Sequence, residues 1–532
     1  MTIEKALNLA IDNIIQEGTT DVDLFSRPFE VDLLKKNHFR EIVIEKIGPL
    51  LEKDFKDFDV LPLAYCLVPK KDFFSFRKCA LIDPIDEIKY LTIVIMIAEC
   101  IEKGRDNKNN KRVFSYRWKP AGSHLFSSKY NFTAFRNFVK EKSRKRNVNV
   151  VAECDIANFY DRINLHRLEC ILDSLPNIDS KYVKTIDSLL KFWANRDSYG
   201  LPVGSNASRI LAEAALIEVD KFLISHNVAF CRFVDDFRFF APDAATANYW
   251  LSLLVSRLNK EGLFINTNKT LLRDVSNKSN SAQYIKPSIS FSHASNTKHG
   301  TQENTSKIIR GYSGLIPTKF RKLRLNEIEK LKTINLNEML TRIQTVTLIE
   351  PKHFVEFLKA CIAQTNTKCL IEIVSLTNKF PQFIPLVLDA IIKHITIFTN
   401  KEQESISEIL NRDWLQKTTC PEYIHIYIVK FLGDPHIARK DLLFSFYKRL
   451  TRNQGNYIGR AILEQITPLV DRGEVLEIRD YYLRADIWER RQIAKIVAMH
   501  LIKDEMRPYF KNLKAISDDI FLEIIEKNFN NK

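Results

Sequence analysis

The chain has 532 residues, 45% of them hydrophobic, with only 14 glycines and a formal net charge of +15. That length suits about two to four domains with sizeable cores, and the composition argues for a globular, helix-rich protein. Its nine scattered cysteines form no Cys-x-x-Cys pair, which excludes a disulfide framework or zinc site and indicates reduced thiols, while the basic surplus suits a polyanionic partner.

Met1-Thr2-Ile3-Glu4-Lys5 leads into an amphipathic helix over 2–17 rather than a signal sequence, and a second helical segment covers 31–56. Residues 75–84 read as a strand ended by Pro84, with Arg77 and Lys78 on it. A helix over 88–102 follows. Its apolar stretch, 90–101, is too short to cross a bilayer, so a cytoplasmic location is expected. After a polar break at 104–112, the run Arg136 to Arg146 contains six basic residues against one acid, Glu141, with Phe135 and Phe138 nearby. It reads either as a phosphate-tracking surface or as a solvated helix face.

Residues 148–155 form the next strand. Val148, Val150, Ala152 and Cys154 share one face; Asn149, Val151, Glu153 and Asp155 share the other, so Asp155 ends the strand on its more polar side. Gly200-Leu201-Pro202-Val203-Gly204 is a bent loop, and Ser205, Asn206 or Ser208 caps the helix after it. In Phe230-Cys-Arg-Phe-Val-Asp-Asp-Phe-Arg-Phe-Phe240, two acids separate aromatic and β-branched runs, with Asp235-Asp236 as the two-residue turn of a hairpin. A buried hairpin that lifts paired acids to its tip suits Mg²⁺, which takes hard oxygen ligands, and Asp155 supplies a third. Residues 275–282 and 292–306 read as polar loops. From 320 onward, apolar residues recur at helical spacing, for instance over 348–363, 369–379, 383–399, 423–431, 441–450, 458–470 and 488–501.

The conjunction is more specific than its parts. The chain carries Asp155-x-x-x-Phe159-Tyr160-Asp161, then Gly200-Leu-Pro-x-Gly204-x-x-x-Ser208, then Phe233-Val-Asp-Asp236, then Gly262-Leu-x-x-Asn266-x-x-Lys269-Thr270. In order and spacing this resembles the four palm motifs of reverse transcriptases, over roughly residues 60 to 285. Val234 stands where the family most often has Ala, and Val203 where retroviral enzymes carry Gln. These variants, Val113 to Trp118, and Arg209-Ile-Leu-Ala-Glu-Ala214 look more like the bacterial abortive-infection and defence-associated members.

The resemblance implies an α+β fold: N-terminal helices and fingers over 1–147, a palm with an antiparallel sheet and helices on one side over 148–285, linker loops over 286–320, and an α-helical domain of HEAT-like character over 321–532. It implies that Asp155 and Asp235, assisted by Asp236, hold two Mg²⁺ ions, with Mn²⁺ as a substitute. Lys269 would neutralise or protonate the leaving pyrophosphate. Tyr160, or else Phe159, would block a ribose 2′-hydroxyl, and Arg77, Lys78, Pro202 and Gly204 would contact the dNTP. The expected partners are dNTPs, a DNA product attached to the protein, a noncoding RNA and further copies of the chain. The activity implied is a protein-primed, template-independent DNA polymerase in phage defence, with Tyr65, Tyr116 and Tyr130 as candidate priming residues. A templated enzyme of retron or intron type and a silent nucleic-acid-binding module are the alternatives. No nuclease, integrase or protease signature points to a mobile-element polyprotein.

Overall fold

The computed structural model describes residues 1–530 apart from 54, 56–57, 70–75, 196, 277–317, 348, 418–419 and 452–456. The expected loop over 292–306 and most of the one over 275–282 lie outside the described residues.

Strands β1 (Ala64–Pro69) and β2 (Phe76–Leu81) form one two-stranded sheet, and β3 (Trp118–Ala121) and β4 (His124–Phe126) a second. Strands β5 (Val150–Asp155), β6 (Phe230–Phe233), β7 (Asp236–Ala241) and β8 (Leu271–Asp274) build a four-stranded sheet in the order β6-β7-β5-β8. All of its pairings are antiparallel. The chain divides into two compact units. The first contains Met1–Asp21, Arg27–Leu63 and the chain from Ala80 through the four-stranded sheet; the second contains Val22–Ser26, Ala64–Cys79 and the C-terminal helices.

The first unit is built around the helix Pro84–Gly104. Asp83 caps it by accepting the Ile85 N–H at 2.9 Å, and Pro84 occupies its first turn, where no N–H is needed. The helix is apolar on nearly every side, and accordingly it is buried on nearly every side, against the helices Ile3–Glu17, Ser180–Trp193 and Asn206–Ala215. Several of its buried polar groups find partners: Lys89 pairs with Asp86 at 3.1 Å, and the Tyr90 hydroxyl meets that of Ser208 at 3.2 Å. Ser205 donates to Glu87 Oε1 at 2.7 Å.

The four-stranded sheet follows the period-two pattern. Val151, Cys231 and Phe240 cluster with Phe135 and Val139 of the helix Phe132–Ser143. On the opposite face, Phe237 and Phe239 stack at 6.2 Å and 14°, and Arg232 reaches Glu213 and Asp220 on the helices Asn206–Ala215 and Ile217–Ser225. Helices therefore cover both faces, not one. The reason is that Cys231 and Arg232 point in opposite directions and each needs burial, one by apolar and the other by charged neighbours.

The second unit is helical apart from β1 and part of β2 among its described residues. Its helices pack on the next but one along the chain. Thr367–Leu376 lies against Asn400–Leu410, and Glu422–Leu432 against both Ile384–Lys393 and Ile458–Ile466. The expected helix over 383–399 ends early, at Lys393, and gives way to a short 3₁₀ turn at Ile395–Ile397.

Burial pushes the Glu87 carboxyl up to about 8, against the Ser205 hydrogen bond and Arg209, which lower it. Folded chains keep this proton while unfolded chains lose it, so stability falls as pH rises from the ordinary glutamate value towards 8. Glu87→Gln should therefore be the more stable protein, by a margin that widens by about 1.4 kcal/mol per pH unit across that interval and then levels off. Urea melts at pH 5, 7 and 9 check this; an equal difference at all three would show that Glu87 does not titrate there.

Candidate active site

Three strand ends create the site. In β5 and β7, Asp155 lies directly opposite Asp236, and Glu153 opposite Arg238, so all four side chains share one sheet face. Strand β6 returns into β7 with Phe233 opposite Asp236. The two turn residues are thus Val234 and Asp235, one step earlier than the expected Asp235-Asp236. Asp236 already belongs to the ladder because it closes the hairpin opposite Phe233. Val234 has φ 56°, a left-handed conformation that β-branched residues rarely adopt. The Asp235 carbonyl accepts the Ile156 N–H at 3.2 Å, tying the turn to the chain just after Asp155.

The backbone brings Asp155, Asp235 and Asp236 together, and their charges interact. Burial, then Asp155, and further Asp236 push the Asp235 carboxyl up to about 7, while Lys269 pulls it down. Asp236 is also raised, by burial first, although Arg238 ion-pairs with it. The carboxylates are not gathered into a cage: among the described residues no group of three His, Cys, Asp or Glu side chains converges as metal ligands. Asp236 turns to Arg238, and Asp155 Oδ2 accepts from Lys269 Nζ at 2.9 Å. These bound cations occupy the places that excess negative charge calls for. The donor set, three carboxylates brought together at the strand ends, fits hard divalent cations.

Lys269 is well exposed, with 63% of its side chain open to solvent, so its ammonium can exchange Asp155 for another anion at low cost. It reaches Asp155 because the neighbouring Asn266 N–H donates to the Asp155 carbonyl at 2.7 Å, and the Asn266 amide lies 3.4 Å from Asp155 Oδ2.

Phe159 and Tyr160 start a short helix, Phe159–Arg162, after Asn158 turns through φ 48°. Both rings are buried, 5.7 Å apart. The Gly200–Gly204 loop is stitched to this segment: the Leu201 N–H donates to the Tyr160 carbonyl and the Gly200 N–H to the Ile163 carbonyl, each at 2.9 Å. Gly200 has φ 102°, and a side chain there would face the Asp161 carbonyl. Pro202 and Gly204 are buried within the loop. Ser205 is the residue that caps the following helix, accepting the Ala207 N–H at 3.0 Å.

The remaining candidates scatter. Arg77 and Lys78 are on β2 in the second unit, where the Lys78 ammonium sits 3.7 Å over the Tyr65 ring. Tyr130 donates its hydroxyl to the Lys108 carbonyl at 3.2 Å. Tyr116 is half-buried between Phe126, at 5.2 Å, and Phe233, at 6.2 Å, with the Arg209 guanidinium 5.3 Å from its ring. Sequence reasoning missed Ser115, Glu213 and Arg232, which surround the turn. The one signal was Arg232 itself, a charge inside an aromatic strand that needs a buried carboxylate opposite it.

Residues 74–285 match the family model described as reverse transcriptase (RNA-dependent DNA polymerase). No curated protein matches the chain in sequence. Among solved structures, the chain is similar to telomerase from Candida albicans with a fragment of telomeric RNA, at 14% identity over 81% of this chain and 70% of that one, with a TM-score of 0.30. Apo telomerase from Candida tropicalis gives 12% identity, 80% and 73% coverage, and a TM-score of 0.29. Scores of this size do not establish a shared overall fold.

Proposed function

We propose that the first unit transfers nucleotides from dNTPs to a growing DNA end. The observation that carries this reading is the β5–β7 register, which sets Asp155 opposite Asp236 with Asp235 in the adjoining turn. Asp155 and Asp235, with Asp236 beside them, would hold divalent ions. When bound, Mg²⁺ supplies an activated hydroxyl nucleophile and neutralises charge on the triphosphate. Lys269 would leave Asp155 for the departing pyrophosphate, neutralising or protonating it. Tyr160, fixed by the Gly200–Gly204 loop, would narrow the sugar site against a 2′-hydroxyl. Pro202 and Gly204 would contact the dNTP, as the family resemblance implies.

The finer reading is self-primed, untemplated synthesis in defence against bacteriophage, by a chain whose second unit is a helical repeat standing in place of a thumb. A primer tethered to the protein needs no duplex grip, because tethering raises its effective concentration. Tyr116 is the first choice for attachment, since it lies beside Phe233 at the hairpin, whereas Tyr130 is engaged with Lys108 and Tyr65 is capped by Lys78. Templated synthesis is the second reading, favoured by the description of the matched family as RNA-dependent.

One experiment separates these. Full-length protein should incorporate dNTPs in Mg²⁺ without added primer, and its intact mass should show covalent nucleotides. Asp235→Asn with Asp236→Asn should lower incorporation at least about a hundredfold while the fold survives, the loss expected when groups holding several kcal/mol of charge stabilisation are removed. Unmodified mass with strict dependence on a primer–template would establish the templated reading; no incorporation under any condition would leave a nucleic-acid-binding module. Tyr160→Ala should lower preference for dNTP over rNTP by about tenfold or more, because an open pocket admits the hydroxyl. An unchanged ratio would move the gate to Phe159.

A further inference from the structure

We propose that Ser115 and Arg232 are positioning residues that lock the Val234-Asp235 turn into its left-handed form and thereby aim Asp235. The proposal rests on the reading of Asp235 as a metal-holding acid.

Two-residue hairpin turns with positive φ favour Asn-Gly or Asp-Gly; Val-Asp has no local reason to adopt one. Something outside the turn must hold it. Val234 is gripped at both of its backbone polar groups. Its N–H donates to Ser115 Oγ at 2.9 Å, and its carbonyl accepts from Arg232 Nη1 at 3.1 Å. These partners are themselves fixed. Ser115 gives its hydroxyl proton to Glu213 Oε1, which leaves the oxygen lone pairs facing Val234. Glu213 Oε2 accepts from Arg232 Nη1 at 2.8 Å and from Arg105 Nη2 at 2.7 Å. Arg232 forks onto Asp220 through Nε at 2.8 Å and Nη2 at 2.7 Å. Arg105 also clamps the Ser115 and Tyr116 carbonyls, at 2.8 and 2.9 Å, across a second left-handed residue, Tyr116 with φ 43°.

Arg105, Ser115, Glu213, Asp220 and Arg232 are all buried, and they come from separate elements: the end of the helix Pro84–Gly104, the loop after it, two helices and β6. A cluster that only filled the core would not need to end on the N–H and the carbonyl of one residue. This one does, and that residue immediately precedes Asp235. Ser115 acts through the Val234 backbone and not by contact with substrate or metal.

The test uses the full chain and two readouts: Mn²⁺ binding followed by the electron-spin resonance of free Mn²⁺, without nucleotide or DNA, and steady-state dNTP incorporation. Wild type should show a Mn²⁺ site that Asp235→Asn removes. Ser115→Ala should weaken that site and lower kcat by about tenfold to a hundredfold, the usual effect of losing a group that orients a ligand, with dNTP KM changed by no more than about twofold. Ser115→Thr, which keeps the hydroxyl, should restore both. Val234→Gly should recover part of the loss in the Ser115→Ala background, because glycine takes the left-handed form without help. If Ser115→Ala does not fold, Ser115→Cys keeps the volume with a weak acceptor and should show the same losses. A folded Ser115→Ala, or Ser115→Cys in its place, with wild-type Mn²⁺ affinity and kcat overturns the positioning role and leaves the reading of Asp235 intact. Absence of any Mn²⁺ site sensitive to Asp235→Asn overturns both.

Discussion

The register between β5 and β7 is the constraint on which the rest depends. Because side chains alternate, Asp155 can share a face with Asp236 only if the two strands pair as they do; a slip of one residue would send Asp155 to the other side of the sheet. The register is fixed on that shared face by apolar and by charged contacts. Val151, opposite Phe240, is held in the apolar cluster with Phe135 and Val139, and Arg273 and Arg238 bracket Glu153 beyond the ladder. The apolar pattern and the charged pairs agree on one alignment, which is how a sequence specifies a strand pairing.

Holding that alignment gathers like charges. Asp155, Asp235 and Asp236 meet at one end of a sheet whose interior is aromatic, and the raised Asp235 carboxyl is the cost made visible. Two cations of the chain offset part of it, Arg238 at Asp236 and Lys269 at Asp155. They differ in what they can do next. Arg238 is largely buried, lies over the Phe135 ring and faces Glu153 as well; Lys269 is exposed and held by one contact. The first is built into the sheet, whereas the second is free to exchange partners when another anion arrives.

Much of this was legible in the residues. Alternation in 148–155 places Asp155 on the polar face, and apolar runs around two acids give the hairpin. The long apolar helix is visible too, although its capping residue, Asp83, lies five residues before the start expected for it. What local pattern does not carry are the features that depend on distant partners. Propensity puts two acids in a turn; the structure puts Val234 there, because Ser115 and Arg232 bind its backbone. Nothing near Ala64–Cys79 shows that this strand pair would join the second unit rather than the first, since that choice is made by helices hundreds of residues away. The expected single cover on the sheet fails for a similar reason. Arg232 calls for a buried carboxylate, but local pattern does not show that Glu213 and Asp220, on two helices, are the ones that face it.

A buried network of this kind is an expensive way to fill a core. Apolar residues of the same volume commonly serve as well or better for stability, since desolvating ions costs more than their attraction returns. The comparison changes where the neighbouring backbone needs partners. Val234 in its left-handed turn leaves an N–H and a carbonyl pointing into the protein, away from any strand that could pair with them. An apolar filling would strand both groups, and a lone serine or arginine would be free to rotate. Charge balance between Arg105 and Arg232 on one side and Glu213 and Asp220 on the other makes the arrangement self-consistent, and each fork admits one geometry. The network therefore supplies what stability alone would not select: a fixed direction for the residue that follows Val234, which is Asp235.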